Sequence, residues 1–206
     1  MNPKFNLTQA LEKRFNDRFG IYDIIMSFQI VSESIFNTPA DAFVNSVNCV
    51  GVMGAGIALE FKKRYPLMFD EYKEQCSRHR IRPGYCMVHF DVANQIYILN
   101  LAVKDDWKNW STKEWLEGSI NSLKLALLEN DIKSVNLPVI GGMNGRRGPN
   151  GKIPNMTPMP EKSEIIELLQ TQLSPFADKF EIEINLCMPQ NKAVKIQPTL
   201  ESFLEV

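Results

Sequence analysis

The spacing of apolar residues divides the chain into alternating strands and helices. Residues 7–19 place Leu11 and Phe15 on one face at helical spacing, with Leu7 or Thr8 at the start and Gly20 at the end, so they predict a short N-terminal helix that serves as a packing arm. Residues 26–36 alternate in the manner of a strand, and 42–48 (AFVNSVN) form a second, β-rich run. Ile57, Phe61 and Tyr65 recur every four residues, which predicts a helix over 57–65, punctuated by Pro66 and followed by a second helical stretch over 67–75. Two strands follow over 85–90 and 95–103, separated by a turn at 91–94. Leu116, Ile120, Leu123 and Leu127 form the apolar stripe of a long helix over 112–129, with Ser111 or Thr112 as its cap. Residues 134–140 (SVNLPVI) read as a buried strand, 161–173 as a further helix and 180–188 as the last strand.

Strands alternating with helices predict an α/β fold, a largely parallel or mixed sheet with helices on both faces. In such sheets, ligands bind beyond the carboxyl ends of the strands. The Gly-, Pro- and Asn-rich stretch 141–160 is a long loop, and loops of that length in compact domains are usually functional or mobile. No internal repeat or low-complexity tract interrupts the pattern.

Composition adds limits to this picture. A length of 206 residues fits one domain with extensions, and 44% apolar residues suffice for a real core. The net charge of −1 gives no global reason for nucleic-acid binding, so any such contact needs a local basic patch. The four cysteines (Cys49, Cys76, Cys86 and Cys187) contain no CxxC pair, and His79 and His89 are the only histidines. That argues against a zinc site, and the expected metal and cofactor requirement is none. Free, mostly buried thiols fit a reducing compartment. The N-terminus lacks a signal-peptide apolar region and no run is long enough to span a membrane, so a soluble cytoplasmic protein is expected.

The chemistry concentrates in Asn45-Ser-Val-Asn-Cys-Val-Gly-Val-Met-Gly-Ala-Gly-Ile. A strand ends near Asn48, three glycines follow (Gly51, Gly54 and Gly56), and a helix opens at Ile57. Glycines let backbone approach a ligand closely, and a helix N-terminus adds unpaired N–H groups and partial positive charge. Together they suit a diphosphate, held by the stretch from Gly51, Val52 and Met53 to Ile57. The spacing GxxGxG is neither that of the dinucleotide-binding fingerprint nor that of the P-loop. A tight strand-to-helix connection without a ligand is the competing reading.

The run NSVNCVGVMGAGIALEFKKRYP resembles the first ligand loop of the macrodomain family. Within that family it is nearest to the branch containing the DNA ADP-ribosyl glycohydrolases (DarG-type) and the terminal ADP-ribose protein glycohydrolases. The resemblance covers 26–189 and implies a three-layer α/β/α macrodomain with a mixed central sheet. Residues 1–25 then form an N-terminal helical extension and 190–206 a C-terminal tail.

The ligand implied is ADP-ribose, free or attached to a macromolecule. Ser34 matches the adenine-contacting position, where the family has an acid or amide, and Glu33 is a substitute. Asn45 and Asn48 precede the glycines, and the family's counterpart of Asn48 faces the distal ribose. An amide offers a diol both a donor and an acceptor, but it serves turn backbone equally well. The second ligand loop matches Gly141, Gly142, Met143, Asn144, Gly145 and Arg146, whose backbone would nest the other phosphate. The aspartate of the protein-directed hydrolases falls on Gly145, and the DarG-type members also lack it.

Lys104, directly after the strand 95–103, matches the lysine that acts on the anomeric carbon of the distal ribose in DarG-type hydrolases. An amine suits that role once its pKa falls, whereas Asp105 and Asp106 oppose the fall and Lys108 partly offsets them. Without the resemblance, Lys104 reads as part of a solvated turn. Trp107, Trp110 and Trp115 read as core or rim packing, although aromatic residues beside basic ones also stack on bases. The basic stretches 62–64 and 146–152 read as solvated faces or as contacts to a polynucleotide.

Three functions follow from the resemblance. The first is a hydrolase removing ADP-ribose from a macromolecule, DNA foremost. The others are a non-catalytic reader of ADP-ribose and a phosphatase of ADP-ribose-1″-phosphate. The acceptor and a toxin partner stay open.

Overall fold

A computed structural model of the chain describes residues 27–141, 150, 155–157 and 160–189. The helix expected over 7–19 and the tail 190–206 lie outside them. The elements are β1 (Phe28–Val31), β2 (Ala42–Val47), α1 (Gly56–Arg64), α2 (Pro66–Ser77), β3 (Cys86–Asp91), β4 (Ile96–Ala102), α3 (Lys113–Glu129), β5 (Ser134–Pro138), α4 (Lys162–Phe180) and β6 (Glu183–Cys187). The sheet order is β1-β6-β5-β2-β4-β3. Every neighbouring pair is parallel except the β3–β4 hairpin, so the sheet is mixed.

Alternation along each strand sends its side chains into two separate cores. Val44, Leu99, Leu101, Val135, Leu137, Ile184 and Leu186 face α3 and α4, where the stripe Leu116, Ile120, Leu123 and Leu127 meets Ile165, Leu169 and Leu173. Phe43, Val47, Ile98 and Ala102 face α1 and α2, against Phe61, Met68 and Tyr72. The result is a three-layer α/β/α sandwich. Burying each large side chain contributes roughly 1.5–3 kcal/mol before entropy is counted.

Several boundaries differ from the periodicity. The strand expected over 26–36 stops at Val31, because Ile35 and Phe36 enter the α1–α2 core through a turn in which Asn37 N–H donates to the Ser34 carbonyl (2.9 Å). The helix expected to end at 173 runs through Pro175 to Phe180, which buries Ala177 and delays β6 to Glu183. The lost N–H bond at Pro175 is outweighed by that packing. Residues 139–140 leave the strand expected over 134–140 and continue as loop. Thr112 caps α3, its hydroxyl accepting from Trp115 N–H (3.3 Å).

The α3 helix presses on the segment that enters β3. Gly84 adopts φ +84°, donates its N–H to the Ala102 carbonyl (2.7 Å) and accepts from the Ser122 hydroxyl (2.6 Å). A Cβ on Gly118 would stand 3.3 Å from Gly84 Cα. Gly118→Val should therefore cost about 1–3 kcal/mol through overpacking, seen as a lower urea midpoint at unchanged slope. An unchanged midpoint would show that α3 moves away freely.

Candidate functional site

The parallel strands β1, β2, β4, β5 and β6 all end on the same side of the sheet. Ser34, the glycine loop, Lys104 and Gly141 therefore emerge along one rim. After β2 the chain passes to α1 on one face, and after β5 it passes to α4 on the other. Adjacent strands whose connections diverge in this way open a crevice between their loops, the usual ligand position in such sheets.

The glycine loop is tied down from beneath. Asn48 Oδ1 accepts from the N–H groups of Val50 (3.0 Å) and Val52 (3.3 Å), and its Nδ2 donates to the Val52 carbonyl (2.6 Å). The buried Tyr72 hydroxyl donates to the Asn48 carbonyl (2.7 Å). Gly51 is buried with φ +78°, a conformation that favours glycine. Met53 is 2% exposed and packs into the α1–α2 core. Beyond that anchor, Gly54, Ala55 and Gly56 are exposed and α1 opens at Ala55 with no side-chain cap. Its first turn holds no acid and its last turn holds Lys62, Lys63 and Arg64, so its N-terminus keeps its partial positive charge. The half-buried Ile57 lies in the first turn of that helix and leans on the same core. Among the described residues, a Cβ at Gly54 meets nothing nearer than Val52 Cγ1 at 3.7 Å, so they leave room at the crest of the loop.

Lys104 lies just past β4 and is only 8% exposed. Burial lowers its pKa to about 8, while the Asp105 carboxylate pulls the other way. Desolvation thus outweighs the opposition expected of the acidic neighbours, of which Asp105 is the one that acts. The loops after β2 and β4 are joined at this point: Cys49 N–H donates to the Asp105 carbonyl (3.0 Å) and the Cys49 thiol to the Lys104 carbonyl (3.1 Å). Burial raises the Cys49 pKa to about 12, with Cys76 and Asp105 adding to the rise. Asp105 accepts from Asp106 N–H (2.6 Å) and from the Asn109 amide (2.9 Å), and Asp106 accepts from Lys108 N–H (2.9 Å). Both carboxylates therefore build the turn after Lys104.

Other expected contacts have different placements. Asn45 is fully buried inside the sheet, where its amide donates to Asn100 Oδ1 (2.8 Å) on the register partner in β4, so it belongs to the sheet and not to the strand end. Asn48 sits under the loop as a backbone brace. The Ser34 hydroxyl accepts from Phe36 N–H (3.4 Å) and Glu33 accepts from the Asn37 amide (3.3 Å), so each closes its own turn. Gly141 is buried with φ +68°. Gly142, Met143, Asn144, Gly145 and Arg146 lie outside the described residues. In the basic stretch 62–64, Lys62 lies over Phe69, Arg64 lies over Phe36, and Lys63 pairs with Glu60, so local contacts occupy all three.

Sequence reasoning missed a row of amides on the α1–α2 face of the sheet. Gln29 donates to Asn185 (2.6 Å), Asn185 donates to Asn136 (3.0 Å), and Asn136 donates to the carbonyls of Ile35 (3.0 Å) and Thr38 (2.7 Å). That last pair of bonds positions the loop carrying Ser34. The available signal was a lone Asn in the middle of each of four apolar strands: AFVNSV, IYILNLA, SVNLP and EINLC. Among the described residues, no three His, Cys, Asp or Glu side chains group as a metal site, and no helix is long and apolar enough to cross a membrane.

The profile of the Macro domain family matches residues 44–146. A DNA ADP-ribosyl glycohydrolase of Thermus aquaticus is 34% identical over 119 residues, which are 57% of this chain and 33% of that protein. The corresponding Mycobacterium tuberculosis protein is 36% identical over 116 residues, 55% of this chain and 33% of the relative. The match thus spans about a third of the length of these curated relatives. The macrodomain of Mycobacterium tuberculosis DarG superposes with a TM-score of 0.67 at 27% identity, over 79% of this chain and 97% of that one.

The buried Lys104 links stability to pH. Below about pH 8 the folded and unfolded chains both hold its proton, and the folded state carries the full desolvation penalty. Between about 8 and the ordinary 10.5 the unfolded chain binds more protons, so stability rises with pH. Relative to Lys104→Met, the wild type should gain urea stability across that window. Parallel pH profiles for the two proteins would contradict the shift.

Proposed function

Because the chain belongs to the Macro domain family, we propose that residues 26–189 bind ADP-ribose and release it by hydrolysis from a macromolecule, with ADP-ribosylated DNA as the substrate. The observation that carries this reading is Lys104, a buried amine of lowered pKa at the rim of the sheet, hydrogen bonded through its backbone to the glycine loop. The diphosphate would lie between 50–57 and 141–146, on the uncapped N-terminus of α1. Phosphates there place the distal ribose toward Lys104. Its amine then acts on the anomeric carbon, either as a nucleophile or by stabilising charge as the bond to the acceptor breaks. The names of the relatives, DNA ADP-ribosyl glycohydrolases, favour DNA as the acceptor. A toxin that modifies DNA would be the source of such a substrate. Four free thiols favour a reducing, cytoplasmic setting.

A second reading is a non-catalytic reader of ADP-ribose. It is favoured by the Asp105 carboxylate, which stabilises the protonated lysine, and by Ser34 standing where the family has an acid or amide.

Two sets of variants test the proposal. Gly54→Glu should fold, since the position is open, yet lose ADP-ribose affinity because a carboxylate then occupies the phosphate position. Unchanged affinity by calorimetry would sink the site. Lys104→Ala should lower kcat on ADP-ribosylated DNA by about a hundredfold or more while ADP-ribose binding stays within a few fold. The lysine acts where charge develops only in the transition state, so its loss appears in kcat. Lys104→Arg retains activity if the lysine is a charge stabiliser and loses it if the lysine is a nucleophile. If the wild type binds ADP-ribose but turns over neither ADP-ribosylated DNA nor ADP-ribosylated protein, the reader is correct.

A further inference from the structure

The glycine loop is seated on α2, a helix that supplies none of the residues expected to touch a ligand. Tyr72 and Cys76 lie one turn apart on the buried face of that helix, inside the α1–α2 core. A fully buried hydroxyl needs partners. The single hydrogen of Tyr72 goes to the Asn48 carbonyl (2.7 Å), with Asn48 Oδ1 beside it at 3.2 Å, and Cys76 is its other hydrogen-bond partner. Burial raises the pKa of both groups, so both stay protonated. Gly51 N–H donates to the Cys76 sulfur. A Cβ on Gly51 would stand 3.5 Å from Lys73 Cγ and 3.6 Å from Cys76 Cβ, so the loop backbone rests directly against the helix.

Asn48 is the first residue beyond β2, so its carbonyl has left the strand ladder, and the phenol takes the place of a strand neighbour. The Asn48 side chain is committed as well. Its Oδ1 holds the N–H groups of Val50 and Val52, and its Nδ2 holds the Val52 carbonyl. Those loop N–H groups point inward. The donors left for an anion are in the first turn of α1, where the first helical bond runs from Leu59 N–H to the Ala55 carbonyl (3.3 Å). We infer that Tyr72 is a positioning residue of the site: through Asn48, its hydroxyl fixes the path from β2 to α1 so that the first-turn N–H groups converge on one diphosphate before the ligand arrives. This rests on the reading of the glycine loop as an ADP-ribose site. Tyr72 is buried beneath the loop and acts through Asn48, not on the ligand. A loop that samples several paths binds only in the fraction of molecules that hold the competent one, and apparent affinity falls by that fraction. The opposing account is that Phe61, fully buried in α1, fixes the helix alone and makes the phenol redundant.

Calorimetry of ADP-ribose binding to the full chain tests this on wild type, Tyr72→Phe and Ile165→Val. Phenylalanine keeps the ring and removes only the hydroxyl. Ile165→Val removes one methylene from the α3–α4 core, on the other face of the sheet, and is a control with a similar loss of stability. Tyr72→Phe should weaken ADP-ribose binding by about twofold to tenfold, the range that one hydrogen bond supplies. In the ligand-free protein, its Val50 and Val52 amides should exchange faster with solvent than those of wild type. Ile165→Val should move neither readout. If Tyr72→Phe does not fold, Cys76→Ala, which removes the other half of the seat, should show the same two changes. Wild-type affinity in the folded variant overturns this inference alone and assigns the placement of α1 to Phe61. Equal losses of affinity in Tyr72→Phe and Ile165→Val also overturn it, because overall stability then sets the affinity. A wild type that fails to bind ADP-ribose overturns the site and this inference with it.

Discussion

A buried amide must be hydrogen bonded or it destabilises the fold by about 1–3 kcal/mol, and this chain buries such groups in the middle of its sheet. Gln29, Asn185 and Asn136 are register partners in three adjacent parallel strands, and Asn45 and Asn100 are partners in the next two. Each side chain finds its neighbour only in one alignment. A slip of one residue would turn the whole row onto the α3–α4 face, among leucines. The amides thus favour the observed register within β1, β6 and β5 and within β2 and β4, while between β5 and β2 Asn136 pairs with Phe43. Asn136 of the first set also holds the turn after β1, and Asn45 of the second meets the sulfur of Met53 (3.9 Å), the anchor of the glycine loop.

Burial has opposite consequences for Lys104 and Cys49 at the rim. Burial disfavours whichever form is charged. For Lys104 the disfavoured form is the ammonium, so the amine moves toward its nucleophilic state. For Cys49, a few ångströms of backbone away, the disfavoured form is the thiolate, so the sulfur stays protonated and acts as a hydrogen-bond donor to the backbone. The same physical cause therefore moves the lysine toward its neutral amine and keeps the cysteine a thiol.

Much of the architecture was legible in the sequence because it rests on local periodicity. The stripe of α3, the β3–β4 hairpin and the strand-glycine-helix passage all appear where the pattern puts them. The errors arise where tertiary contact overrides the local pattern: the turn that takes Ile35 and Phe36 into the core, and the extension of α4 through Pro175. The candidate site was legible in part. Glycine spacing revealed the loop. Asn45 and Asn48, however, look alike in NSVN, and only the alternation of a strand that ends at Val47 separates a sheet amide from a loop brace. Nothing in VKDDWK signals that its lysine is buried. Its backbone neighbour Cys49 is 55 residues earlier in the chain and is brought beside it only once β2 and β4 pair.

The hydrogen bond from Cys49 N–H to the Asp105 carbonyl also makes the rim observable in time. That amide has one partner, and the partner lies on the opposite loop, so its hydrogen can exchange with solvent only when the two loops separate. Its exchange rate therefore reports the free energy of local opening, independent of any substrate. A fluctuation that breaks this bond also strains the neighbouring bond from the Cys49 thiol to the Lys104 carbonyl, so the two loops are coupled at Cys49.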